Sequence, residues 1–232
     1  MYAEGKDLKD MPISKYIIET ELMPKVVDNL QYLSVNGVYD AARLKEFGFS
    51  MNGIVQLLAD MTAEDVTGNP CFMIPLSALT DTNIVSQVTA FERALPSKFK
   101  GQIKKIFMSE NNAERYILDY EDKFGQNKFQ NDVLKTRLGK RVIVGLPGAD
   151  DDFIFATTEN NFRNLSDMIE NPPQITDIQK QDYTLKIFME WEKGYDFLIN
   201  QAVMVANYAD ARYGLGSTEL NQKYYGIDGV TV

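Results

Sequence analysis

At 232 residues, 44% hydrophobic and 25% charged, the chain has an ordinary globular composition and length enough for a sizeable core. It holds no histidine and one cysteine, Cys71, which excludes Ser-His-Asp and Cys-His catalysis, His-containing zinc sites and any internal disulfide, and suits a reducing compartment. The net charge of −9 argues against a surface that grips nucleic-acid phosphates, for which a basic stripe is expected.

No stretch approaches the roughly 18 apolar residues needed to cross a bilayer. The segment from Met1 to Asp7 lacks the apolar core of a signal peptide, so export by that route is not expected. The first ten residues are polar and read as loose. Between Ile13 and Leu33, Ile18, Leu22, Val26 and Leu30 recur every four positions, with Ile17 and Val27 widening the stripe. This is the pattern of an amphipathic helix. Pro24 either kinks it or lies in the first turn of a second helix. Asn36-Gly37 ends it with a pair suited to positive φ.

From Val38 to Pro75 the chain is broken by Gly48, Gly53, Gly68 and Pro70. Only Gly53 to Asp60 reads as helical, and the rest as loops packed on a core. A clear helix follows, with Asp81 as the expected N-cap and Ile84, Val88, Phe91 and Leu95 on one face. Pro96 closes it. Ile103 to Met108 reads as a buried strand between Gly101 and Ser109. Ser109 is placed to cap the next helix, striped by Ala113, Tyr116, Ile117, Tyr120 and Phe124 and stopped by Gly125. Helix, strand and helix on short connections indicate mixed α/β packing on a sheet.

The last hundred residues read mostly as strands. Arg141 to Val144 leads into the turn Gly145-Leu146-Pro147-Gly148, and Phe153 to Ala156 follows. Tyr183, Leu185, Ile187, Met189 and Trp191 then alternate with Thr184, Lys186, Phe188, Glu190 and Glu192, the period of a strand with one buried face. After a turn near Gly194, the apolar segment Phe197 to Ala206 reads as its antiparallel partner. The tail from Tyr208, rich in Gly and Tyr, reads as extended.

The candidates for chemistry are weak. Asp150-Asp151-Asp152 lacks the alternating ligands and glycine of a calcium loop and reads as a solvated turn. Ser97-Lys98-Phe99-Lys100 has Ser-x-x-Lys spacing but no Lys-Thr-Gly companion, and it follows a helix-ending proline. Gly214-Leu215-Gly216 opens like a dinucleotide loop, but Glu219 stands where the third glycine is required. Asn164-Leu165-Ser166 is a sequon without a secretion signal. Glu190 and Glu192 share a strand face and read as solvent-facing. Cys71, with no basic neighbour in sequence, reads as a buried, inert thiol. Lys98, Lys100, Lys104 and Lys105 are the densest basic cluster and read as a solvated helix-to-strand turn. No catalytic, cofactor-binding or metal-ligating residue is expected.

A resemblance enters between Lys140 and Tyr208. Arg141-Val142-Ile143-Val144-Gly145-Leu146-Pro147-Gly148, the Ala156-Thr157-Thr158-Glu159-Asn160 turn and two later strands carrying Lys186, Phe188 and Gly194 resemble the C-terminal region of tailed-bacteriophage major capsid proteins. Thr158 stands where the family has proline. Phe91-Glu92-Arg93-Ala94-Leu95 and Ile106-Phe107-Met108-Ser109 look like that family's helix–strand–helix section. The resemblance implies an α+β, Hong Kong 97-like fold: a long spine helix against an antiparallel or mixed sheet in a peripheral domain, and a mixed α/β axial domain. Residues 1–37 correspond to the spine region, 38–160 mainly to the axial domain, 161–208 to return strands of the peripheral domain and 209–232 to an extended tail. Nothing before Ile13 supplies the family's N-terminal arm and extended loop, so the chain reads as the central and C-terminal part or a reduced relative.

The implied role is structural, in the virion. Copies made in the bacterial host cytoplasm tile a head as pentamers and hexamers, with scaffold, portal or decoration proteins as further partners and no cofactor, membrane or specific nucleic-acid contact. An acidic wall suits a container, since it repels packaged DNA. The alternative is an accessory module that binds one partner without forming the lattice. An enzyme working through carboxylates alone ranks below both and would need a pocket of paired carboxylates.

Overall fold

In a computed structural model, the structure describes residues 16–63, 69–125, 133–149, 153–165, 174–181, 184–190, 193–209 and 211–227. The first helical segment is wound in two ways. Ile17–Leu22 is π-helical, the Met23 N–H reaching back to the Ile18 carbonyl, and α1 (Met23–Asn36) continues it with Pro24 in its first turn. Pro24 has no N–H to extend an α ladder, and its ring presses on the turn before it, so the chain widens there. Ile18 and Leu30 are buried as the spacing predicts, whereas Ile17 and Val27 are exposed.

The end of α1 differs from expectation at Gly37, whose φ is −58°. Glycine is needed there for room. A Cβ on Gly37 would lie 2.4 Å from the Met51 carbonyl oxygen, and one on Gly53 2.6 Å from that of Val35. The Gly53 N–H donates to the Gly37 carbonyl at 2.8 Å, drawing the loop against the helix end and opening α2 (Ile54–Ala63).

Strand β1 (Phe72–Pro75) comes next, in a stretch the sequence presents as loop. Helix α3 (Ile84–Ala94) is not capped by Asp81, which lies in the preceding turn 3.1 Å from Arg115. Asn83 precedes the helix, but its side chain turns back to the Thr80 N–H and the Ala78 carbonyl. The cap comes from another element: the Asp119 carboxylate accepts the Val85 N–H at 2.9 Å. One-turn α4 (Ser97–Lys100) follows Pro96 and leads to β2 (Lys105–Ser109). Ser109 caps α5 (Glu110–Phe124) by accepting the Asn112 N–H at 3.1 Å, and Gly125, at φ +79°, ends it. The remaining elements are β3 (Val142–Leu146), β4 (Ile154–Thr157), β5 (Phe162–Leu165), β6 (Gln174–Gln181), β7 (Thr184–Glu190), β8 (Gly194–Phe197), β9 (Val203–Asn207) and α6 (Thr218–Tyr225).

Five strands join in the order β1–β9–β4–β2–β3. The β1–β9 and β2–β3 pairs are parallel, and the β9–β4 and β4–β2 pairs antiparallel. Parallel neighbours need a crossover, which α5 supplies between β2 and β3. Alternation places Phe72, Ile74, Ile106, Met108, Ile154, Ala156, Met204 and Ala206 on one face, packed with Ile84, Val88 and Phe91 of α3, Tyr116 of α5 and Tyr225 of α6. Cys71, Met73, Phe155, Val203 and Val205 face the other way, toward Leu58 and Met61 of α2 and Phe197 of β8. A sheet covered on both faces explains why its strands read as unbroken apolar runs.

Two expectations are corrected. The segments near 183–191 and 197–206 are not partners. β7 pairs with β6, β8 pairs with β5, and β9 lies inside the five-stranded sheet. The partner of β7 is the strand just before it rather than the one after, and β6 lacks the alternation that would have marked it. Residues 209–232 are not simply an extended tail either, because Thr218–Tyr225 is helical and ends at Gly226 with φ +67°. Tyr225 packs edge-on against Phe72 at 4.7 Å between ring centroids.

Candidate functional site

Where α3, α4 and β3 meet, a charged pair is enclosed in the fold. Glu92 on α3 is 0% exposed and Arg141, just before β3, is 4% exposed. The Arg141 Nη1 donates to Glu92 Oε1 at 2.6 Å, and Nη2 donates to the Lys100 carbonyl at the end of α4. Arg141 Nε and Glu92 Oε2 have no hydrogen-bond partner. The pair ties α3 and the end of α4 to the residue before β3, though burial of both charges offsets much of its attraction.

Outside this pair lies a hollow of about 520 Å³ lined by Lys100, Gly101, Ile103, Lys104, Leu138, Lys140 and Arg141. Its two halves come from distant sequence. β2 and β3 run parallel with Lys105 opposite Val142, and the Val142 N–H donates to the Lys104 carbonyl at 3.0 Å. That register sets Lys140 and Arg141 beside Lys100 and Lys104. Partial burial, and next the Arg141 guanidinium, push the Lys100 ammonium below the usual lysine range. Four cations frame the hollow, and among the described residues no carboxylate lines it. The lysine cluster Lys98, Lys100, Lys104 and Lys105 is thus divided. Lys98 donates to the Tyr224 carbonyl at 2.8 Å, and only Lys100 and Lys104 line the hollow. Sequence reasoning missed Lys140 and Arg141, whose signal was two cations directly before a buried strand.

The other sequence candidates do not converge. Ser97 opens one-turn α4 rather than trailing a helix, and Lys100 gives its ammonium to the Arg93 carbonyl at 2.8 Å. Gly214 and Gly216 have positive φ, and Gly214 forms an antiparallel bridge with Met73. That arrangement extends the sheet edge and cradles no phosphate. Asn164 lies on β5 and Glu190 on β7, while Ser166, Glu192 and Asp150 to Asp152 lie outside the described residues. Among the described residues no three His, Cys, Asp or Glu side chains gather to hold a metal, and no helix is long and apolar enough to cross a membrane.

The turn singled out by the family resemblance is built around two asparagines. Asn160 takes the left-handed conformation at φ +64°, which asparagine tolerates. Asn161 is buried. Its amide donates to Thr157 Oγ1 and the Ile199 carbonyl, and its carbonyl accepts the Ile199 N–H, each at 2.9 Å. Beyond this clamp, Leu198 and Ile199 are 63% and 52% exposed. A second exposed apolar group joins Tyr32 of α1 to Phe47, their rings 5.3 Å apart.

Cys71 is 1% exposed, and burial pushes its thiol up to about 12. The native protein is expected to resist thiol reagents at neutral pH and to react on unfolding; rapid stoichiometric labelling of the native state would contradict the burial. The folded thiol keeps its proton after the unfolded one has released it. Stability is therefore expected to fall as pH rises from the ordinary thiol range toward about 12.

No family model matches the chain, and no curated protein does. Solved structures do. A chain of the satellite phage P4 procapsid, determined with its size determination (Sid) protein, is similar at TM-score 0.51 and 9% identity, over 87% of this chain and 69% of that one. A chain of the Myoviridae phage XM1 capsid is similar at TM-score 0.45 and 11% identity, over 83% and 67% respectively. The first likeness shows the class of fold: an α+β arrangement of helices on a mixed sheet, of the kind found in a phage procapsid.

Proposed function

We propose that the chain is a phage shell protein, a Hong Kong 97-like major capsid protein or the central and C-terminal part of one, whose copies tile an icosahedral head. The observation that carries this reading is the procapsid likeness over 87% of the chain. On this reading the two-faced sheet with its helices forms the axial lobe, and α1 with the β6–β7 hairpin forms the peripheral elements. The exposed apolar groups around Phe47 and Leu198 suit contacts between copies, and ring-forming heterologous contacts of this sort close into shells. Scaffold, portal or decoration proteins are the further partners this role calls for, and the virion is its location. Light scattering behind size exclusion tests it. Mass is expected to rise with concentration toward rings or larger bodies, and a constant monomer mass at every concentration and salt level would contradict it.

A further inference from the structure

The hollow at the α4–β2 turn is a local reversal of sign on a chain of net charge −9. Lys100, Lys104, Lys140 and Arg141 crowd positive charge into it without a lining carboxylate among the described residues. The carboxylate behind it, Glu92, is fully buried and already engaged by Arg141. Arg141 still keeps an unpaired Nε in a side chain that is 4% exposed. Crowded cations of this kind favour an anion that enters from outside.

We infer that this hollow receives side-chain carboxylates from a second copy of the chain, an inference that rests on the shell reading above. The chain itself supplies the matching chemistry, since each copy carries 33 Asp and Glu residues against 24 Lys and Arg. A tiled shell sets copies side by side, and a basic hollow in an acidic surface fixes where an acidic neighbour sits. Such complementarity governs register and partner choice more than bulk affinity. Nucleic acid is the poorer occupant, because four cations gathered in one hollow, one of them already paired with Glu92, form no basic stripe for a phosphate backbone to follow. The hollow's volume matches a few side chains or a small molecule.

A mixture of isotopically heavy and light full-length chains, treated with a water-soluble carbodiimide, tests this. The reagent joins an amine to a carboxylate in contact with it, through an amide formed with loss of water. Peptides joining Lys104 or Lys140 of one isotope to an acidic residue of the other are expected. In the K104E/K140E variant these peptides should vanish and the self-association constant fall at least about tenfold, as facing like charges repel. Both lysines are exposed, so the melting temperature should hold. Heavy–light products elsewhere but none at these lysines, with the variant associating normally, would overturn the inference and leave the shell reading standing. A strictly monomeric sample with no heavy–light products would remove the shell reading and this inference together. Inorganic phosphate bound by the wild-type monomer and lost in K104E/K140E, without cross-links between copies at these lysines, would show a small-anion site and overturn the second-copy occupant.

Discussion

Replacing Arg141 with Met is expected to lower the unfolding free energy by about 3–5 kcal/mol, because it strands a buried carboxylate. Glu92 is 0% exposed and one of its oxygens already lacks a hydrogen-bond partner. Removing the guanidinium leaves both oxygens without a cation and frees the Lys100 carbonyl that closes α4. The cost belongs to the broken pair rather than to the pair's net attraction. The double variant Glu92→Leu with Arg141→Met is therefore expected to recover most of the loss, since apolar residues of similar volume commonly replace a buried pair at little cost. Guanidinium unfolding of the two single variants and the double variant measures this directly. A single-variant effect below about 1 kcal/mol, the range of an exposed pair, would contradict the burial described.

Phe72→Ala is expected to cost about 3–5 kcal/mol, the range for deleting a fully buried aromatic side chain. Phe72 is 0% exposed and meets Tyr213 and Tyr225 edge-on, at 5.1 and 4.7 Å between centroids. It stands where β1 joins β9 in parallel, opposite Met204. The substitution should therefore also loosen α6, and limited proteolysis should cut first between β9 and Gly226. Phe72→Leu, which keeps most of the volume, should cost less and leave that segment protected. A loss below about 1 kcal/mol with the tail still protected would show that α6 does not rest on this ring.

Phe72 also marks where the sequence was hardest to read. β1 has four residues, ends on Pro75 and finds its parallel partner only at the far end of the chain. A four-residue apolar run closed by a proline is too short to mark an edge strand of the main sheet on its own. Helix α6 has few apolar positions, yet its boundary signs were present, with Ser217 before it and a left-handed Gly226 after it. The abundance of Gly and Tyr nearby outweighed them. Helices α3 and α5 were legible because their apolar spacing survives in a two-sided core and Ser109 caps as its type suggests. The Asp81 cap failed because a carboxylate from another helix took the role, and no spacing rule foresees Asp119 meeting Val85. The basic hollow was half visible in Lys100 and Lys104. Its other half depends on the β2–β3 register, which pairing in space alone decides.

The proposed shell role requires copies of this chain to close into rings or particles. Electron microscopy of the highest-mass fraction from size exclusion tests it most directly, with the subunits resolved well enough to place the five-stranded sheet and its helices. Pentameric and hexameric rings, or closed particles built from them, are expected, with the sheet-bearing lobe gathered at the symmetry axes. A monomer, or a small closed oligomer that only decorates preformed shells, would contradict it and favour an accessory protein.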